Sequence, residues 1–135
     1  LIFKKNTLTN FTFNAKKIND LPITNNKKKC LLSLVSYLNK NNSIKWKLLT
    51  DKEVYDNLIS VFGIGPWTIQ MFNIFYRGSK DIIPLKDIGF INSYKKIYKD
   101  PSLKYLNSYI SKWKPFGTII TMNLWLAYDG KPVDL

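Results

Sequence analysis

At 135 residues with 45% apolar composition, the chain is long enough for one domain with a sizeable core. Its single cysteine and its lack of histidine exclude a disulfide framework, a four-cysteine zinc or iron–sulfur site, a His-dependent metal site and any Ser–His or Cys–His catalytic pair. The net charge of +12 favours a polyanionic partner, nucleic acid ahead of an anionic membrane. That charge is uneven: residues 1–50 hold ten Lys against Asp20 alone, +9, leaving +3 for residues 51–135. A chain this rich in Lys, Asn and Ile is also what an A/T-rich genome writes into any protein, so charge alone is a weak pointer. No apolar run reaches the roughly eighteen residues of a membrane span, and the N-terminus has no signal-peptide pattern, so the default expectation is a soluble intracellular protein. Leu1 in place of Met points to a fragment or a processed chain.

Residues 1–24 alternate short apolar pieces with Asn, Thr and Lys and sustain no period, so they are expected to be irregular. From Asn26 the pattern clears: Leu31, Leu34, Val35 and Leu38 share one helical face, with Lys27, Lys28 and Lys29 at its start. Cys30 opens this apolar run and reads as a buried small hydrophobe. Thr50 and Glu53 form a capping box that starts a helix running to Phe62. Gly63-Ile64-Gly65 then breaks the pattern, and Pro66 suits the first turn of a second helix with Ile69, Phe72 and Phe75 at apolar spacing, closing at Arg77-Gly78. Two glycines in this turn permit positive φ and a close backbone approach, and a helix N-terminus with free N–H groups is an arrangement that binds phosphate.

Beyond a loop containing Pro84, Asp87 can cap a helix bearing Ile88, Ile91 and Ile97, with Phe90 and Tyr94 beside them. Asp100-Pro101 reads as the start of the next, carrying Leu103, Leu106 and Ile110 as far as Trp113. A last, strongly apolar helix is predicted from Pro115 to about Tyr128, before Gly130. Six helices and no convincing strand make the fold class all-α. Asp81 and Asp56 read as solvated carboxylates.

Three segments carry a family resemblance. VFGIGPWTIQMF resembles the helix-hairpin-helix of the HhH-GPD superfamily of DNA glycosylases, and IIPLKDIGF resembles the loop that holds its catalytic aspartate. Lys112-Trp113-Lys114-Pro115-Phe116, with Asn123-Leu124-Trp125, is similar to the C-terminal signature of the DNA-3-methyladenine glycosylase II branch. The resemblance reaches back to Lys27 and implies a partial HhH-GPD helical domain over residues 25–135, with the helix-hairpin-helix at 51–77. By the same resemblance Gly63, Ile64 and Gly65 would grip a DNA backbone phosphate, with a monovalent cation on hairpin carbonyls. Asp87 would be the catalytic carboxylate, and Trp67 and Trp125 would line the base pocket. Position alone leaves Asp87 equally readable as a helix cap, which is compatible with catalysis, and tryptophans in apolar helices ordinarily fill core.

The resemblance implies a monomeric base-excision repair enzyme that needs no cofactor, acts on damaged duplex DNA and sits with the genome, in nucleus or bacterial cytoplasm. Trp67 stands where bifunctional members carry the Schiff-base lysine, so the expected enzyme is monofunctional, hydrolysing the N-glycosidic bond of alkylated purines such as 3-methyladenine after base flipping. The alternative is a non-catalytic helix-hairpin-helix DNA-binding module. The chain departs from the family pattern at Ile69, where a small residue is usual, at Gly117, where a polar residue is common, and in having no counterpart of the family's N-terminal helices.

Overall fold

The structure, a computed structural model, describes residues 15–128, which are all helix, turn and loop with no strand. The apolar pieces at Leu1–Phe3 and Phe11–Phe13, and the expected stop at Gly130, lie outside the described residues. Contacts divide the chain into two units, one comprising residues up to Ile44 together with Ser60–Ile64, the other Lys45–Ile59 and Gly65 onward.

In the first unit, a short helix α1 (Ala15–Asn19) lies within the stretch expected to be irregular. Five residues are too few to show a period, yet Ile18 is fully buried. Helix α2 (Asn25–Lys40) begins where Thr24 Oγ1 accepts from Lys27 N–H, and Lys28 Nζ donates to the Asn19 carbonyl. Its predicted apolar face is only partly covered: Leu31, Leu34 and Val35 are half-buried and Leu38 is exposed. Cys30 is likewise half-buried, and it lies under the hairpin turn, where Gly63 takes φ +81°. Phe62 N–H donates to Ser33 Oγ at 3.2 Å in the same turn.

In the second unit, α3 (Asp51–Leu58) carries the predicted capping box: Glu53 N–H donates to Thr50 Oγ1 and Thr50 N–H to Glu53 Oε2. It ends at Leu58, earlier than the expected Phe62, because the chain leaves the helix to form the turn. Helix α4 (Pro66–Phe72) continues as a wider π turn, Asn73–Arg77, before Gly78 closes it at φ +71°. The wider turn rotates the buried face onto Asn73 and Ile74 and leaves Phe75 exposed, against the expected burial of Phe75. Arg77, the only arginine, turns its guanidinium inward. It donates to the Trp46 carbonyl at 2.9 Å and Asn73 Oδ1 at 3.0 Å, and also to the Leu49 carbonyl and Asp51.

Helix α5 (Ile88–Tyr98) buries Phe90 and Tyr94, while Ile88 and Ile97, expected on the core face, are exposed. Apolar residues surround this helix, and the larger aromatic rings take the interior. Phe90 and Tyr94 form the core with Leu106, Trp113 and Leu124, each such side chain contributing about 1.5–3 kcal/mol on burial. Asp100 does not start a helix. Its buried carboxylate accepts from Tyr94 Oη at 2.9 Å, Lys104 N–H at 3.0 Å and Tyr105 N–H at 2.9 Å, which winds residues 100–105 into a turn with Leu103 at φ +61°. Helix α6 (Leu106–Trp113) therefore begins six residues later than predicted.

Helix α7 (Gly117–Tyr128) starts at Gly117 instead of Pro115, and its first turn is laced to residues 79–82. Gly117 N–H donates to the Asp81 carboxylate, Thr118 N–H to the Lys80 carbonyl, Thr118 Oγ1 to the Ser79 carbonyl and Ile82 N–H to Thr118 Oγ1. Thr121 Oγ1 donates to the Ile82 carbonyl one turn on. Asp81 is thus a cap for a helix thirty-six positions away and not merely solvated, whereas Asp56 pairs with Lys52 on the surface. The departure at Gly117 has a steric reason: an added Cβ would lie 2.7 Å from both Asp81 Oδ1 and Ile83 Cγ1.

Candidate active site

The lacing of residues 79–82 onto α7 delivers the chain to Pro84, which is buried, and a tight turn follows in which Asp87 N–H donates to the Pro84 carbonyl at 2.8 Å. Asp87 is thereby fixed as the N-cap of α5, its Oδ1 accepting from Phe90 N–H at 2.7 Å. Capping leaves the rest of the carboxylate available. Trp125, on α7, donates its indole N–H to Oδ1 at 2.8 Å, and Trp67, on the first turn of α4, donates its indole N–H to Oδ2 at 2.9 Å.

Three residues far apart in sequence therefore meet on one carboxylate. Partial burial by itself would push Asp87 toward the neutral form, but the Phe90 amide, the two indoles and the Gly89 amide outweigh it and hold the carboxyl below its ordinary range. Hydrogen bonds to an ionised acceptor are worth about 1.5–3 kcal/mol each, so a set of this kind fixes both charge and orientation. Neither indole is fully buried, although Trp125 packs against the core cluster. Trp67 is 50% exposed, and Trp125 is half-buried, its ring stacked on Phe75 with centroids 6.2 Å apart and an interplanar angle of 16°.

An ionised carboxylate beside aromatic faces stabilises positive charge developing near it and attracts a cationic, electron-poor ring through stacking and cation–π forces. No lysine or other amine lies among the partners of Asp87. Phe75 belongs to this cluster and is missed by sequence reasoning, because a π turn cannot be read from apolar spacing. Near Asp87 in sequence, Ile88, 75% accessible, and Leu85 are exposed.

The glycines of the hairpin differ from one another. Gly63 needs its left-handed φ, and a Cβ there would lie 2.6 Å from Cys30 Sγ. Gly65 has φ −106° and ψ 174°, ordinary extended backbone, with open space where a side chain would go. Positive φ is thus required at one of the two turn glycines, not both. Ile64 N–H donates to the Val61 carbonyl to close the turn. Among the described residues no group of His, Cys, Asp or Glu could hold a metal ion. Within the turn the Val61 carbonyl accepts from Ile64 N–H and the Gly65 carbonyl from Ile69 N–H.

Comparison with known proteins relates the chain to DNA glycosylases in sequence and, for one solved structure, in its all-helical fold. No family model matches the chain. It is homologous to DNA-3-methyladenine glycosylases. A putative DNA-3-methyladenine glycosylase of Bacillus subtilis, YfjP, is 30% identical over 84 residues, covering 60% of this chain and 29% of the relative. DNA-3-methyladenine glycosylase 1 of Schizosaccharomyces pombe is 32% identical over 92 residues, covering 63% and 40%. This chain therefore spans less than half the length of either relative. The solved structure of the S. pombe 3-methyladenine DNA glycosylase Mag1 in complex with abasic DNA shares the fold, with a TM-score of 0.73 and 23% identity, covering 86% of this chain and 63% of that one.

Proposed function

We propose that the chain carries the excision chemistry of a monofunctional DNA glycosylase acting on alkylated purines in duplex DNA, with Asp87 as the catalytic carboxylate and Trp67 and Trp125 flanking the extruded base. The observation that carries this reading is the Asp87 carboxylate accepting from two indole N–H groups, which favour its charged form. Alkylation at N3 or N7 already places positive charge on the leaving purine. As the glycosidic bond breaks, its electron pair goes to the base, which departs neutral, and positive charge moves to the sugar. Asp87 opposes that charge across a short, partly desolvated gap. Water supplies the oxygen to C1′ and loses its proton. With an indole at position 67 in place of an amine, no covalent sugar adduct forms, so the product is an abasic site in an unbroken strand.

DNA as the partner fits the charge. Among the described residues the ion pairs are Lys52–Asp56 and Arg77–Asp51, so most of the lysine excess is not neutralised within the protein. No helix among the described residues is long and apolar enough to cross a membrane. The hairpin turn would hold a backbone phosphate, its carbonyls a monovalent cation that adds positive charge there. The two glycines separate fold from binding. Gly63→Ala is expected to lower stability by about 2–4 kcal/mol through positive-φ strain and collision with Cys30. Gly65→Ala should stay within about 0.5 kcal/mol of wild type in urea unfolding while weakening DNA binding, because it puts a methyl group where the backbone must approach. Equal DNA affinity for Gly65→Ala and wild type would remove the hairpin from the interface.

The decisive assay is release of 3-methyladenine from methylated duplex DNA by the protein, with the strand checked for breaks. Release with intact strands is expected. Salt-sensitive DNA binding without release of any alkylated purine would instead identify a binding module, and strand cleavage coupled to release would overturn the monofunctional assignment.

A further inference from the structure

The structure assigns a positioning role to Gly89, whose missing side chain is the space in which Asp87 and Trp125 meet. This inference rests on the catalytic reading of Asp87. An added Cβ at Gly89 would lie 3.2 Å from Asp87 Oδ1, 3.4 Å from Trp125 Cδ1 and 3.6 Å from Trp125 Nε1, directly over the hydrogen bond between the two side chains. The first distance is tight for a methyl group, the two to the indole put it in direct contact with the ring, and neither neighbour is free to retreat. Asp87 Oδ1 is tied to Phe90 N–H at 2.7 Å, and the Trp125 ring is stacked on Phe75.

Backbone conformation does not require glycine here: Gly89 lies in the first turn of α5, and its φ is not positive. Alanine is the better helix former, so local propensity argues against glycine at this position. What glycine supplies is clearance. A methyl group would push the indole edge and the carboxylate apart, leaving Asp87 charged but turned from the direction that Trp125 and Trp67 impose together.

Gly89→Ala is the test. Excision of 3-methyladenine under single-turnover conditions should fall about 10- to 100-fold, while DNA affinity changes less than about threefold and the protein stays folded at the assay temperature. The indole N–H resonance of Trp125, identified by its absence in Trp125→Phe, should move toward the position of a free indole, a shift that simple destabilisation would not produce. On the Trp125→Phe background, which removes the crowded edge, Gly89→Ala should cost little further excision. Wild-type excision by Gly89→Ala, an unmoved Trp125 resonance, or full additivity of the two substitutions would each overturn the inference. If wild type excises nothing, the catalytic reading fails, while the resonance still reports whether Gly89 sets the Asp87–Trp125 contact.

Discussion

Asp87→Asn is expected to reduce excision by at least about a hundred- to thousandfold while leaving DNA affinity nearly intact. The amide keeps one oxygen, enough to accept from Phe90 N–H and the Trp125 indole, so the cap on α5 survives. Its NH₂ then faces the Trp67 indole, donor against donor, and the negative charge is gone. Single-turnover release of 3-methyladenine measures the first effect and equilibrium binding the second; undiminished release would remove Asp87 from the chemistry. The pH dependence follows from the same hydrogen bonds. Because the folded carboxyl is held below its ordinary value of about 3.9, it stays ionised throughout the neutral range, and wild-type excision should show no acid limb from this group between about pH 5 and 8. Its contribution to stability is present above the unfolded pKa and is lost as pH falls through the lower folded one, a loss that Asp87→Asn abolishes.

Arg77→Ala should destabilise the second unit strongly, by about 2–4 kcal/mol. The side chain is 7% exposed and serves the carbonyls of Trp46 and Leu49, the Asn73 amide oxygen and Asp51 at once. Removing it strands several acceptors, with Asp51, itself 45% exposed, the least affected. Lysine offers a point charge in place of a planar fork, so Arg77→Lys should recover less than half of the loss. Urea unfolding midpoints for both variants decide this, and an unchanged midpoint in Arg77→Ala would refute the account. The only arginine of a strongly basic chain is therefore spent on holding residues 46–51 against residues 73–79, and lysines are left to meet any phosphate.

Features written in adjacent residues were legible in the sequence. The Thr50–Glu53 capping box, Pro66 at the head of α4, Gly78 at its end and Asp87 as the cap of α5 are each local signals, and each lies where it was expected. What escaped depends on partners distant in the chain. Asp100 looked like a helix start because its use by the Tyr94 hydroxyl, six residues earlier, has no local mark. Phe75 looked like core because the π turn that exposes it leaves no trace in apolar spacing. Asp87, Trp67 and Trp125 could be named only through resemblance; that two indoles point at one carboxylate is information carried by the packing of α4, α5 and α7. Gly89 bore no signal at all, and Gly117 stood out only as a departure from the family pattern, since a glycine required for clearance reads the same as any other.

The lacing of residues 79–82 to α7 has a consequence for how such a site can change over evolutionary time. Thr118, Thr121 and Trp125 lie at i, i+3 and i+7, one stripe of a single helix, and they hold in turn the start of the loop, its middle and the carboxylate at its end. The loop borrows its shape from a ruler that it does not itself contain. Leu85, Lys86 and Ile88, exposed and outside that stripe, can drift without loosening it, while the Asp87 carboxylate stays where the helix puts it.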